Sequence, residues 1–139
     1  MTYEKSCGFV AYTEANGERL YLIIHSLNGD YGFPKGHTEL GETEYKTAIR
    51  ELKEETGAEA QIIEGFRKQI EYRLPKKPDT TKQSVYFLGK LDNTDLICQA
   101  TEVAEALLLS LEKALTILSF DDTKEILKEA DVYLNSIKM

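Results

Sequence analysis

Two runs near the amino terminus, SCGFVAYTE (6–14) and RLYLIIHSL (19–27), are dense in aliphatic, β-branched and aromatic residues. They flank ANGE, whose Asn16-Gly17 pair is a hairpin turn signal, so the pattern predicts two paired strands. NGDYGFPKG (28–36) lacks periodicity and is rich in turn residues, which predicts a loop. Residues 43–56 predict a helix, with Thr43 as N-cap and Gly57 as a stop. AEAQIIEGFRKQIEYRL (58–74) predicts an extended strand bent at Gly65, paired with KQSVYFLGKL (82–91) across a polar, mobile loop, PKKPDTT (75–81). EALLLSL (105–111) predicts a further strand. DDTKEILKEADVYLNSI (121–137) predicts an amphipathic helix carrying Ile126, Leu127, Ala130, Leu134 and Ile137. Strands on both sides of a central helix, followed by a closing helix, imply an α/β fold in which a mixed sheet is sandwiched between helices. With no repeat or linker, the 139 residues are expected to form a single domain, 1–139.

The central helix poses a charge problem. On a helical wheel Tyr45, Ala48, Ile49 and Leu52 recur at i, i+3, i+4 and i+7, the spacing of a buried stripe. Glu44, Glu51, Glu54 and Glu55 fall on the adjoining arc, while Lys46, Arg50 and Lys53 lie mostly elsewhere. Like charges at i,i+4 destabilise an isolated helix by roughly 0.2–0.5 kcal/mol per pair. Either this arc is a solvated acidic face or it faces a cation.

The net charge of −7 offers no broad basic surface, so DNA is not an expected partner. An acidic protein still binds a polyphosphate when a divalent cation stands between the two. Cys7 and Cys98 are far apart among apolar or small residues, which predicts buried free thiols rather than a disulfide or zinc site. No run is apolar enough to span a membrane and MTYEKSCGFV has no signal-peptide pattern, so the default expectation is a cytoplasmic protein without a membrane partner. The oligomeric state is open, a monomer being compatible with every feature above. His25 and His37 have no partner at metal-ligand spacing and read as a strand residue and a loop support.

Ahead of the helix stands PKGHTELGE, in which Gly36 and Gly41 permit a tight loop that approaches a ligand. Glu42 follows Gly36 by six and Arg50 follows Glu42 by eight, and then come Glu51, Leu52, Glu54, Glu55, Gly57 and Ala58. This segment resembles the Nudix box, Gly-x5-Glu-x7-Arg-Glu-(aliphatic)-x-Glu-Glu-x-Gly-(aliphatic), at all its fixed positions. The resemblance implies a Nudix fold and a hydrolase that attacks a nucleoside diphosphate linkage with water. It implies Mg²⁺ or Mn²⁺ as cofactor, held by Glu51, Glu54, Glu55 and the Gly36 carbonyl, a donor set that suits a hard cation. Arg50 is then expected to orient Glu51 or a neighbouring acid, and Glu42 either supports the loop or joins the metal shell. Glu51 and Glu54 are candidates for the catalytic acids. Glu102 matches an additional loop glutamate of some members, its other reading being an ordinary surface acid.

SCGFVAY, FPKGHTELGE, IEGFRKQIEYRL and KQSVYFLGKL are similar to the corresponding segments of asymmetrical bis(5′-nucleosyl)-tetraphosphatases, over residues 6 to roughly 114. That likeness implies a nucleotide substrate, with diadenosine tetraphosphate cut to ATP and AMP as the single best choice. Lys35, Tyr72, Lys82 and Tyr86 match residues that contact phosphate or stack on adenine in that group. The tyrosines also read as aromatics packed on a sheet. Asp30-Tyr31 stands where the group has His-Trp, and Thr101-Glu102-Val103 where it has His-Glu-His, which leaves the second nucleoside site in question. The rival readings are a (deoxy)nucleoside triphosphate or RNA 5′-end pyrophosphohydrolase, a non-catalytic nucleotide-sensing domain, and a plain cation-binding module.

Overall fold

A computed structural model describes residues 2–74, 77–97 and 103–137. Among them a long first strand, β1 (Thr2–Ala15), turns at Asn16-Gly17 into β2 (Glu18–Ser26), as the hairpin signal requires. Two short strands follow, β3 (Tyr31–Gly32) and β4 (Lys35–His37). The helix α1 (Glu44–Thr56) leads to β5 (Ala60–Leu74), β6 (Lys77–Leu91) and β7 (Val103–Leu109), and the chain closes with α2 (Leu111–Ile117) and α3 (Asp121–Ile137). The strands form one seven-stranded sheet in the order β3-β2-β1-β6-β5, with β4 added to β1 and β7 to β2. It is mixed, because β1 runs parallel to β6 from Thr2↔Thr80 to Tyr12↔Lys90 while the other pairings are antiparallel.

The period of two along the central strands explains the sandwich. Cys7, Phe9 and Ala11 of β1, Leu22 and Ile24 of β2 and Val85 and Phe87 of β6 share one face, which Ala48 and Leu52 of α1 cover. The alternate residues Val10, Tyr12, Tyr21, Ile23, Tyr86 and Leu88 line the other face, beneath Ala114 of α2 and Ile126, Leu127, Ala130 and Leu134 of α3. A strand covered on both sides has no polar alternation, hence the near-continuous apolar runs. Each large apolar side chain buried in these layers contributes about 1.5–3 kcal/mol.

Several expectations change. The segment 28–36 is not loop throughout, since Tyr31–Gly32 pairs with β2 and Lys35–His37 pairs with β1. The polar stretch 75–81 is no loop from Lys77 onward, where β6 has begun; its first two residues lie outside the described chain. The last strand ends at Leu109 because the Ser110 hydroxyl caps a new helix, accepting a hydrogen bond from the Lys113 amide at 3.3 Å. The bend at Gly65 is present as a bulge, where the β5–β6 register jumps between Ile63 and Arg67. Among the described residues no helix is long and apolar enough to cross a membrane. Cys7 is a buried free thiol whose pKa burial pushes up, whereas Cys98 lies outside the described residues.

Candidate active site

The helix α1 begins and ends where its caps place it. The Thr43 hydroxyl accepts from the Lys46 amide at 3.2 Å, and Gly57, in the left-handed region at φ 70°, returns its amide to the Lys53 carbonyl at 2.8 Å. Its buried face is Thr47, Ala48, Leu52, Glu55 and Thr56. The expected stripe is therefore only half right, as Tyr45 and Ile49 are 41% and 43% exposed. The helix is rolled toward its threonines because their hydroxyls are satisfied internally: Thr47 donates to Glu42 and to the Thr43 carbonyl, and Thr56 to the Leu52 carbonyl. Tyr45 instead caps the edge of the core, stacked on Phe87 with ring centroids 4.0 Å apart.

The acidic arc does have a positive partner, contrary to the wheel. The Arg50 guanidinium grips Glu42 with two bonds, Nε to Oε2 at 2.7 Å and Nη2 to Oε1 at 3.0 Å. Its Nη1 reaches Glu51 at 2.9 Å, Glu54 at 3.1 Å and Glu39 at 3.3 Å, and its Nη2 also donates to the His37 carbonyl at 2.9 Å. A long side chain spans arcs that a wheel treats as separate. Glu42 supports the loop, since it also accepts from the Glu39 amide and the Thr47 hydroxyl. These bonds, led by those from Arg50, hold its carboxyl down to about 2. Glu44 departs from the acidic group, paired with Arg67 at 2.8 and 2.9 Å and with Lys5, and Arg67 lowers its carboxyl to about 2.

Gly36 stands against this cluster. A Cβ built there would lie 2.0–2.3 Å from the carboxyl atoms of Glu51, so only glycine lets the strand and the carboxylate meet. Among the described residues no three His, Cys, Asp or Glu side chains converge into a metal-binding group, and Glu51 and Glu54 converge on Arg50 instead. The donors nonetheless fit a hard cation in kind. Glu51 is mostly buried, with a side chain 12% exposed, against the Gly36 backbone; Glu55 is buried one helical step away; and Glu54 is half exposed.

A cavity of about 780 Å³ opens beside the cluster. Gly36, Glu51 and Glu55 line it together with Lys35, Tyr72, Lys82 and Tyr86, whereas Glu54 does not line it and pairs with Arg50, which does. Tyr72 and Lys82 are direct partners across the β5–β6 ladder, which puts their side chains on the same side of the sheet. The Lys35 ammonium lies 3.3 Å from the Ser84 hydroxyl and 5.9 Å from the centre of the Tyr86 ring. Desolvation, followed by the charge of Lys82, lowers its pKa to about 8, against the pull of Glu55. Tyr72 is 36% exposed and offers a face, while Tyr86 is 1% exposed and stands as a wall, its phenol pushed up by burial. Glu102 lies outside the described residues. Sequence reasoning did not single out Phe120, which is 54% exposed and lines the same cavity. Its signal was an apolar residue in the break between two helices, where no core position is required.

Comparison with known proteins places this geometry. The NUDIX domain model matches residues 4–130. The asymmetrical bis(5′-nucleosyl)-tetraphosphatase of Sus scrofa is 32% identical over 145 residues, covering 96% of this chain and 97% of the relative. That of Rattus norvegicus is 33% identical over 122 residues, covering 84% and 81%. A crystal structure of a C. elegans Ap4A hydrolase binary complex superposes with a TM-score of 0.88 at 27% identity, covering 96% of this chain and 99% of that one. Nudix hydrolases generally use divalent metals and act on nucleotide substrates. With box residues, sandwich and relatives in agreement, the chain belongs to the Nudix hydrolase family, enzymes that act on phosphoanhydride bonds.

Proposed function

We propose that the protein is a Mg²⁺- or Mn²⁺-dependent hydrolase of dinucleoside polyphosphates, cutting diadenosine tetraphosphate to ATP and AMP. The observation that carries this reading is the single cavity joining the box acids Glu51 and Glu55 to the cations Lys35 and Lys82 and to the Tyr72 ring. Its mixed lining of charged and aromatic side chains suits a ligand with both polyphosphate and aromatic parts. The relatives named for this substrate class, at about one-third identity over most of their length, support the same choice.

Each residue then has a task. Lys35 and Lys82 hold phosphate oxygens as point charges, and the Tyr72 face takes a purine. Glu51, Glu54, Glu55 and the Gly36 carbonyl are the metal-holding set, and Arg50 fixes Glu51 through Nη1 while its other bonds lock the guanidinium to Glu42. A divalent cation bound there would neutralise phosphate charge and lower the pKa of a water, so that the deprotonated water is the nucleophile at phosphorus. Glu51 or Glu54 would take the proton of the attacking water, and Glu102 is a further candidate for the same role. Attack breaks one P–O anhydride bond, the oxygen of water staying on the attacked phosphorus and the other phosphate leaving with the bridging oxygen.

The test is a product assay with diadenosine tetraphosphate and Mg²⁺. ATP and AMP in equal amounts are expected. Release of pyrophosphate from a nucleoside triphosphate at a much higher kcat/KM overturns the reading.

A further inference from the structure

The cavity lining carries a carboxylate that the chemistry above does not use. Asp30 immediately precedes β3 and lines the cavity together with Tyr31 and Phe120. Its backbone is held on both sides: its amide donates to the Asn28 side-chain oxygen at 2.9 Å, and its carbonyl accepts from the Ser26 amide at 2.9 Å. The next residue is tied to the segment between the last two helices, the Tyr31 amide donating to the Ser119 hydroxyl at 2.8 Å and the Ser119 amide to the Tyr31 carbonyl at 3.1 Å. The His25 ring, stacked on Tyr31 at 4.1 Å, stiffens the strand further. Asp30 is thus a partly buried carboxylate on a rigid frame, and among the described residues its side-chain oxygens take part in no hydrogen bond or ion pair.

An acid in a phosphate-binding cavity repels phosphate, so the phosphates belong at the Lys35 and Lys82 side. What a carboxylate accepts is a donor, and two adjacent donors satisfy both of its oxygens. A ribose presents such a pair in its 2′- and 3′-hydroxyls. The pairing edge of adenine sets a donor beside an acceptor, which gives a carboxylate one bond and one repulsion. The ribose is also common to every substrate that a bis(5′-nucleosyl) polyphosphate hydrolase meets.

We propose that Asp30 reads the vicinal diol of a bound nucleotide, restricting the substrate class to ribonucleotides. This deepens the functional reading above and rests on nucleotides occupying this cavity. It also separates the protein from enzymes that process deoxynucleoside triphosphates.

The test is calorimetric titration with AMP, 2′-deoxy-AMP and 3′-deoxy-AMP, on wild type, Asp30→Ala and Asp30→Asn. Wild type is expected to bind AMP about tenfold more tightly than either deoxy form, the effect of a lost hydrogen bond to a charged group. Asp30→Ala should bind all three alike, no more tightly than wild type binds either deoxy form, and Asp30→Asn should keep a reduced preference through its one acceptor. Because the side chain supports no other described group, thermal unfolding of both variants should match wild type. Equal binding of ribo and deoxy forms by wild type, or a preference that survives in Asp30→Ala, overturns the proposal. A preference between GMP and AMP that vanishes in Asp30→Ala while the deoxy forms bind like AMP overturns it too, in favour of base recognition. If wild type shows the ribose preference yet leaves diadenosine tetraphosphate uncut, the substrate reading fails and the role of Asp30 stands.

Discussion

Two arginine clusters, one on each side of the sheet, show how differently this protein uses charge. Behind the sheet, Arg19 of β2 meets Asp131 of α3 at 3.0 Å, and the buried Tyr21 donates to the same carboxylate at 2.5 Å. One cation meets one anion there, Asn135 completes the set at 3.0 Å, and the group pins α3 to the sheet. In front, the Arg50 guanidinium pairs with Glu39, Glu42, Glu51 and Glu54 together. A guanidinium has five donors but only one charge, so its hydrogen bonds satisfy several carboxylates without neutralising them. Structural clusters close their own charge balance. A cluster of several acids on one guanidinium, beside a cavity lined by lysines, is the arrangement that the proposed metal and polyphosphate would complete.

That contrast is open to breakage at several strengths. Glu54→Gln should give the largest effect, lowering kcat by about 10²-fold or more through loss of a metal-holding carboxylate. Thermal unfolding of the same variant without metal should be unchanged or raised, since one repelling charge is gone. Activity within a few-fold of wild type would remove Glu54 from the metal-holding set. Behind the sheet the signs reverse. Tyr21→Phe should cost about 1.5–3 kcal/mol in urea unfolding, one hydrogen bond to a charged acceptor, with kcat and KM unaltered. A catalytic defect there would mean that the two clusters are coupled through the sheet.

The smallest effect separates two acids on one helix. Glu44 has a folded pKa of about 2 against an ordinary 4.5, held down first by Arg67 and then by Lys5. The unfolded chain therefore binds more protons between those values, and stability falls as pH drops through that window. Glu44→Gln should be less stable than wild type above about pH 4.5, with the gap closing as the pH approaches 2, while the activity lost at neutral pH stays minor. A gap that stays constant with pH would show that Glu44 contributes by packing rather than charge.

The legible parts of this fold share one property: their signal is local. Thr43 and Gly57 bracket α1 because capping involves groups within a few residues, and Asn16-Gly17 closes the first hairpin for the same reason. The seven-residue helix α2 was equally local, with Ser110 ahead of Leu111, Ala114, Leu115 and Leu118, but it is short enough to read as the end of a strand. The strands β3 and β4 had no such signal. Tyr31–Gly32 and Lys35–His37 are strands only because β2 and β1 lie alongside them.

The order of acids and glycines from Gly36 to Ala58 carried the resemblance to the family, and the spacing within it predicted the helix and the arc its acids share, since spacing along a helix is converted directly into direction. It could not determine what those residues face. The roll of α1 that exposes Tyr45 and buries Glu55, the reach of Arg50 across two arcs to Glu42, and the alignment of Tyr72 with Lys82 were decided by tertiary structure. The reason is physical: a helical wheel fixes angles about one axis, whereas contacts depend on which surface packs against that axis and on how far a flexible side chain extends.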